Sequence, residues 1–226
     1  MLASETLGRL RVFLSHSHHD ARIARDLRAA LSQYRFRVFV AHEDIRPSAE
    51  WQQTILKELR RCDIFIPILT THFRSSFWTD QETGIAVDRE VIILPLKIDI
   101  DPYGFIAKYQ AFKLRKSISE ESSWSIVKAL AGHPAVASGI RDQVIHVAMD
   151  SNTFDEAAAN VKRLVTLGPF STTQVRTIFR GAADKRNIYG CFKARPYLEE
   201  LIAGNQSKIG HELVAAYRES VRSWGG

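Results

Sequence analysis

Four short apolar runs, separated by segments of helical periodicity, constrain the fold of this chain more than any other feature. The runs are rich in β-branched and aromatic residues: Arg11–His16, Phe36–Val40, Ile64–Leu69 and Val91–Leu96. Between them, apolar residues recur at helical spacing over residues 21–31, Trp51–Arg61 and Thr79–Asp88. Buried parallel strands are continuous apolar runs, and helices connect one to the next. The pattern predicts an α/β fold, a parallel sheet with helices on both faces.

The strand-like runs stop at about residue 116, and the remaining sequence has the character of helical hairpins. We expect about five helices between Glu120 and Trp224. The chain is therefore predicted to consist of an α/β domain over residues 1–116 and an all-α C-terminal domain over residues 117–226.

Two segments in the C-terminal part have the spacing of a capping box. In this motif the N-cap hydroxyl and a Glu or Gln three residues later satisfy free amides at the start of a helix. The pairs are Thr153 with Glu156, and Ser171 with Gln174. Each pair predicts the start of a helix.

Composition excludes several classes of protein. No apolar run approaches the roughly 20 residues that span a bilayer, and the first residues lack the basic and apolar segments of a secretion signal. We expect a cytoplasmic protein without a membrane partner, in which Cys62 and Cys191 are reduced thiols. The net charge of +6 is spread along the chain with acidic residues interspersed, a pattern that does not favour nucleic-acid binding.

A candidate site follows from the predicted sheet. Open parallel sheets bind ligands at the carboxyl ends of their strands, which are the loops after His16, Val40 and Leu69. Beyond the third of these loops, Trp78 and Glu82 are four residues apart and share one helix face. The alternative is a core tryptophan followed by a solvated glutamate that the helix dipole favours.

The first hundred or so residues resemble the Toll/interleukin receptor (TIR) domain family. Four motifs occur in the family's order and spacing, including the Trp–Glu segment that holds the catalytic glutamate of TIR NAD hydrolases. The resemblance implies a flavodoxin-like parallel sheet for this part of the chain. The matching segments are Val12–Ser17, Phe36–Val40 with the loop His42–Ser48, Asp63–Leu69, and Ser76–Trp78 followed by Glu82.

The resemblance implies that Glu82 is the catalytic residue of an NAD+ glycohydrolase. Nicotinamide is bound to ribose as a cationic pyridinium and leaves as a neutral molecule, so it needs no general acid. The difficulty is the positive charge that develops on the ribose, and a fixed carboxylate stabilises it. NAD+ is then a substrate, and no cofactor is expected. The products are nicotinamide and either ADP-ribose or a cyclic ADP-ribose isomer.

The resemblance also implies substrate-binding residues. Ser15 and His16 would line the nucleotide site, and Arg46 could pair with a phosphate, although a lone Arg in a loop is more often solvated. Trp51 could stack on the nicotinamide ring, with Trp78 shaping the same pocket. The alternative for Trp51 is a tryptophan packed in the core at the start of a helix.

Two positions depart from the family pattern near this pocket. Ala41 stands where many relatives carry Asp, and Ser48 where the loop often carries Gly. A zinc site at His16, His18 and His19 is disfavoured, because no nearby Cys or carboxylate completes a ligand set at familiar spacing. We therefore predict no metal.

The family includes members of two functional classes, and Glu82 in its tryptophan-containing segment favours the first, because an adaptor has no need of it. The first is an NAD-cleaving enzyme, used by bacterial relatives in anti-phage defence or in NAD-derived signalling. The second is a non-catalytic adaptor that acts by TIR–TIR self-association. The resemblance implies self-association in both cases, and the C-terminal helical domain could bind a regulatory partner or ligand.

Overall fold

The computed structural model describes residues 9–41 and 51–225. The chain forms two compact units, Met1–Leu130 and Ala131–Gly226. The predicted domain boundary follows residue 116, whereas the first unit extends to Leu130 and takes in all but the last residue of the helix Glu120–Ala131. Trp124 of this helix packs against Tyr34, with ring centroids 5.6 Å apart. That aromatic contact joins the helix to the first unit.

A parallel sheet lies at the centre of the first unit. Its strands in the described residues are β1 (Arg11–Ser15), β2 (Arg37–Val40), β3 (Ile64–Leu69), β4 (Ile92–Ile93), β5 (Leu96–Lys97) and β6 (Phe112–Lys113). The order across the sheet is β2-β1-β3-β5-β6, and β4 also pairs with β3. Val12 in the central strand is in register with Val38 on one side and Ile64 on the other. The predicted α/β fold with a parallel sheet is confirmed.

The helices of the first unit follow the apolar periodicity of the sequence. They are α1 (Ala21–Ser32), α2 (Trp51–Leu59), α3 (Thr71–Arg74), α4 (Phe77–Asp88) and α5 (Glu120–Ala131), with short 3-10 helices at His18–Asp20 and Gly104–Ile106. In α1, for example, Ile23, Leu27 and Leu31 are four residues apart and all buried. Successive fourth residues lie on one helix face, and this is the face that covers the sheet.

An aromatic row crosses one face of the sheet. Phe13 of β1 lies beside Phe39 and Phe65 in the register, and the ring centroids are 5.2 Å and 5.8 Å apart. Ile55 of α2 and Ala86 of α4 belong to the same buried cluster. Helices α2 and α4 therefore cover the sheet face that carries Phe13.

The fourth apolar run differs from its prediction. The sequence predicts one strand over Val91–Leu96, whereas the structure has two short strands, β4 and β5, that both pair with β3. Pro95 lies between them, and a proline has no N–H to donate to a sheet. Strand β6 is not predicted at all, because its two residues, Phe112 and Lys113, are too few to show an alternation.

The second unit is all helical. Its helices are α6 (Pro134–Met149), α7 (Phe154–Val165), α8 (Thr172–Asp184), α9 (Arg186–Tyr189), α10 (Arg195–Gly204), α11 (Gln206–Ile209) and α12 (His211–Trp224). From Glu120 onward the described residues hold eight helices rather than about five, since the short α9 and α11 lie between longer ones. None of the described helices is long and apolar enough to cross a membrane.

The two predicted capping boxes have different outcomes. Ser171 and Gln174 form the complete motif at the start of α8, with each side chain bonded to the other's backbone amide. At the start of α7, Thr153 accepts a hydrogen bond from the Glu156 amide, but Glu156 Oε2 accepts from Asn152 instead of Thr153. Both helices begin where the capping pattern predicts.

Candidate functional site

The centre of the candidate site is a hydrogen bond between the end of the first strand and the fourth helix. Ser15 Oγ donates to Glu82 Oε2 over 2.5 Å. Side chains alternate along a strand, so Ser15 lies on the same sheet face as Phe13, the face that α4 covers. Only 1% of Glu82 is exposed. The interpretation of Glu82 as a solvated helix residue is therefore wrong.

The first turns of α4 fix the position of Glu82. The hydroxyl of Thr79 donates to the carbonyl oxygens of Phe73 and Ser76, both over 2.7 Å, and joins the start of α4 to α3. The hydroxyl of Thr83 donates to the Thr79 carbonyl over 2.7 Å. The bond to Phe73 anchors the start of α4 to α3, whereas the bond from Thr83 lies within α4 and reinforces the turn that contains Glu82.

Burial changes the acidity of the Glu82 carboxyl group. Its removal from water raises the pKa from 4.5 to about 7, although the hydrogen bond from Ser15 lowers it. An isolated carboxylate in an apolar surrounding is costly in free energy, because water no longer solvates the charge. Glu82 therefore exchanges its proton near neutral pH, where small changes in surroundings alter its charge.

The second oxygen of the Glu82 carboxyl group differs from the first in its hydrogen bonding. Glu82 Oε1 is buried, and no hydrogen-bond partner for it occurs among residues 9–41 and 51–225. Buried polar atoms normally have partners, and a catalytic role is one of the explanations for an exception. Oε1 therefore keeps an unused capacity to accept a hydrogen bond, while Ser15 holds Oε2.

Two tryptophans lie close together near the amino-terminal end of α4. The rings of Trp51 and Trp78 meet edge to face, with centroids 4.4 Å apart. Both are partly buried, and Trp51 also packs against the hydrophobic cluster between α2, α4 and the sheet. Trp78 precedes Glu82 by about one helical turn on the same face. Helix α4 thus carries two of the predicted site residues: Trp78, which contacts Trp51, and Glu82, which is hydrogen-bonded to Ser15.

A second polar pair lies at the carboxyl ends of β1 and β3. The Thr70 hydroxyl donates to Asp20 Oδ2 over 2.5 Å and accepts from the Phe73 amide, which caps α3. His16 and Ser17, directly after β1, are buried. Sequence reasoning missed this pair. The sequence signal for Thr70 is its place as a hydroxyl residue between a strand and a helix.

The histidines at this edge do not form a metal site. The rings of His18 and His19 are tilted against each other with centroids 3.8 Å apart, and those of His19 and His72 with centroids 4.6 Å apart. All three side chains are exposed, whereas His16 is buried. Within the part of the chain that the structure describes, no group of three His, Cys, Asp or Glu side chains could hold a metal ion.

Arg46 and Ser48 lie outside the described residues. Ala41, the other departure from the family pattern, is fully buried within the hydrophobic cluster. The family's Asp at this position would place a carboxylate among Phe and Leu side chains, so the small apolar residue suits this core.

The outer side of α4 carries a groove that sequence reasoning also missed. A cavity of about 430 Å³ lies between α4 and the segment around Gly104–Ile106. Asp80 accepts a hydrogen bond from the Tyr103 hydroxyl over 2.8 Å at its edge. Phe105, which is 75% exposed, lines it, and Phe77, which is 84% exposed, begins α4 three residues before Asp80. The contact between Asp80 and Tyr103 spans 23 positions, and no local sequence pattern indicates it.

Comparison with known families identifies the first unit. A sequence model of the TIR domain matches residues 12–128, slightly more than half of the chain. The match begins in β1, contains each pair of side chains described above, and ends within α5. A comparison with curated proteins finds no match.

Proposed function

The chain belongs to the TIR domain family, and we propose that it is an NAD+ glycohydrolase whose catalytic residue is Glu82. The observation that carries the proposal is the buried Glu82 carboxyl group, with one oxygen bonded to Ser15 and the other without a partner among the described residues. A merely structural glutamate would gain more from a solvated position. The burial of this one is consistent with a role in chemistry.

The proposed reaction breaks the bond between the ribose C1′ and the nicotinamide nitrogen. Both electrons of the bond go to the ring nitrogen, so neutral nicotinamide leaves and positive charge develops on the ribose. The ionised Glu82 stabilises that charge from a fixed position in a site of low dielectric constant. Addition of water to C1′, with loss of a proton, gives ADP-ribose; attack by an atom of the same molecule gives a cyclic isomer.

The two tryptophans support the same proposal. A pyridinium ring is attracted to the face of an indole ring through its quadrupole. The edge-to-face contact with Trp78 leaves Trp51 oriented by a neighbour instead of free to rotate. We propose that Trp51 binds the nicotinamide ring, that Ser15, His16 and Trp78 shape the pocket, and that Arg46 contacts a phosphate.

An enzyme that consumes NAD+ would act in the cytoplasm, where that coenzyme is abundant. Depletion of NAD+ harms the cell that carries the enzyme, and a released cyclic nucleotide can act as a signal. Both outcomes fit a role in bacterial anti-phage defence or NAD-derived signalling.

A second candidate function is supported by a different observation. Phe105 lines the groove beside α4, and Phe77 lies three residues before the groove residue Asp80 on that helix, so the side chains of Phe77 and Asp80 share a helix face. Both phenylalanines are exposed, and exposed apolar side chains that lie together commonly mark protein–protein contacts. We propose this surface as a site of self-association. The contact would serve a catalytic assembly, or it would serve a non-catalytic adaptor if the enzyme proposal fails.

The deciding experiment measures nicotinamide release from NAD+ by the purified full chain at several protein concentrations. Glu82→Gln keeps the size of the side chain and removes its charge, and Asp88→Asn removes an exposed carboxylate from the end of the same helix. We expect Glu82→Gln to lose release at least about a hundredfold, as for a group that stabilises transition-state charge, and Asp88→Asn to retain it. No release under any condition in which the protein assembles would favour the adaptor.

A further inference from the structure

The second unit carries an open cavity that the proposed reaction does not use. Its volume is about 510 Å³, within the range of about 300–1,000 Å³ typical of small-molecule sites. It lies between α8, the residue that ends α11 and the first turn of α12. The lining residues are Arg176, Arg180, Ile209, Gly210, His211, Glu212 and Leu213.

Two arginines form one wall of this cavity. Arg176 and Arg180 are four residues apart on α8, so their guanidinium groups leave the same helix face. Both are exposed, and neither has a hydrogen bond, ion pair or ring contact with another described residue. Arginines elsewhere in this unit have partners: Arg218 pairs with Glu199, and Arg186 lies over the Trp224 ring. The cavity therefore holds two cations without a counter-charge in contact.

The opposite wall has different chemistry. Ile209 and Leu213 form the apolar part of the lining, and Leu213, which is only partly buried, offers most of the accessible apolar surface because Ile209 is almost fully buried. Glu212 is in the first turn of α12, where a carboxylate stabilises the helix. One Glu212 carboxylate faces two guanidinium groups, so the cavity keeps an excess of positive charge. His211 adds a ring that can donate a hydrogen bond.

From this arrangement we propose that the cavity binds a nucleotide-sized organic phosphate. Two guanidinium groups on one face match the oxygens of a phosphate, each able to donate two parallel hydrogen bonds. The apolar wall accepts a base or sugar ring, and Glu212 can accept hydrogen bonds from sugar hydroxyls. Such a site gives the helical unit a way to sense nucleotides, independently of cleavage at Glu82.

The test is hydrogen–deuterium exchange of the full chain with adenosine diphosphate, inorganic phosphate or adenosine as the added probe. Peptides covering residues 172–184 and 206–215 contain every lining residue of this cavity, and peptides that contain Ser15 and Glu82 report separately on the proposed catalytic site. We expect protection by adenosine diphosphate, protection by inorganic phosphate only at higher concentration, and none by adenosine. Failure of the NAD+ proposal would leave these results unchanged.

Two matched variants complete the test. Arg176→Met with Arg180→Met removes both cations of the cavity, and Lys128→Met with Lys162→Met removes two exposed cations outside it. The first pair should weaken adenosine diphosphate binding at least about tenfold, as expected for loss of charged hydrogen bonds, and the second pair should not. Absence of protection, protection that survives in the arginine variant, or equal protection by adenosine would overturn the proposal. Equal affinity for adenosine diphosphate and inorganic phosphate would overturn the proposal that the apolar wall, Ile209 and Leu213, binds a base or sugar ring.

Discussion

Ser15 and Glu82, which are 67 positions apart in sequence, share a buried hydrogen bond of 2.5 Å between Oγ and Oε2. The bond orients the carboxyl group and favours its ionised form, because the hydroxyl donates to the charge. Burial acts in the opposite direction and is the larger effect. The charge of Glu82 near neutral pH thus depends on a balance that single substitutions can shift.

Substitution of Ser15 by Ala should shift that balance. Without the donor, the pKa of Glu82 rises further, and less of the protein carries the carboxylate at pH 7. We expect kcat/KM for nicotinamide release to rise with pH through about 7 in the wild type. In Ser15→Ala the rise should occur at higher pH, with at least about a tenfold loss at pH 7.

Ser17→Ala is the control for this experiment, because it removes another buried hydroxyl two residues further along, directly after β1. Its pH profile should match that of the wild type. A profile that is flat from pH 5.5 to 8 in the wild type, or identical in the two alanine variants, would contradict the assignment of Glu82.

Glu82→Gln should change the pH dependence of stability. The folded chain keeps the Glu82 proton up to about pH 7, whereas a carboxyl group of pKa 4.5 releases it earlier on unfolding. Unfolding between these values therefore releases a proton, and rising pH lowers the free energy of unfolding. The neutral Gln has no such penalty. We expect the variant to gain about 3 kcal/mol on the wild type between pH 4.5 and pH 8.

Tryptophan fluorescence during urea unfolding measures this difference. Trp51, Trp78 and Trp124 lie in the first unit, so the signal follows mainly the unit that contains Glu82. A stability difference that stays constant across this pH range would show that the carboxyl group is not desolvated as the structure indicates.

The fold was predictable from sequence because its signals are local. Strand β3 was predicted with its observed ends, since Ile64–Leu69 is buried along its whole length and polar residues border it. The prediction failed where the signal was short or broken, at Pro95 and at Phe112. A two-residue strand has too few side chains for periodicity to detect, and only the neighbouring strand fixes it.

The site was predictable in part. The resemblance to TIR domains indicated Ser15 and Glu82 separately, but the hydrogen bond between them depends on how α4 packs on the sheet. No local pattern records that packing. Likewise, Asp80 and Tyr103 make their contact across a loop, and Arg176 and Arg180 carry no motif. Their significance comes from the residues that the folded chain places opposite them.

Substitutions at Trp51 separate substrate binding from core packing. Trp51→Phe keeps an aromatic face, whereas Trp51→Leu keeps only an apolar side chain. Because Trp51 packs against the hydrophobic cluster, both variants should lose stability. Only Trp51→Leu should also raise KM for NAD+ about fivefold to thirtyfold, the range of a cation–π contact. Equal KM values for the two variants would assign Trp51 to the core alone.

The exposed phenylalanines predict how activity depends on assembly. If Phe77 and Phe105 form the self-association surface, the double variant Phe77→Ser with Phe105→Ser should remain monomeric in sedimentation at concentrations where the wild type associates. Its specific activity should no longer increase with protein concentration.

Phe192→Ser is the matched control for that surface, because Phe192 is 79% exposed and lies in the helical unit. It removes a comparable apolar side chain from elsewhere on the protein, so it corrects for a general gain in solubility. Association should persist in this variant. Loss of association in Phe192→Ser, with association intact in the double variant, would place the contact on the helical unit and leave the groove beside α4 without a role in assembly.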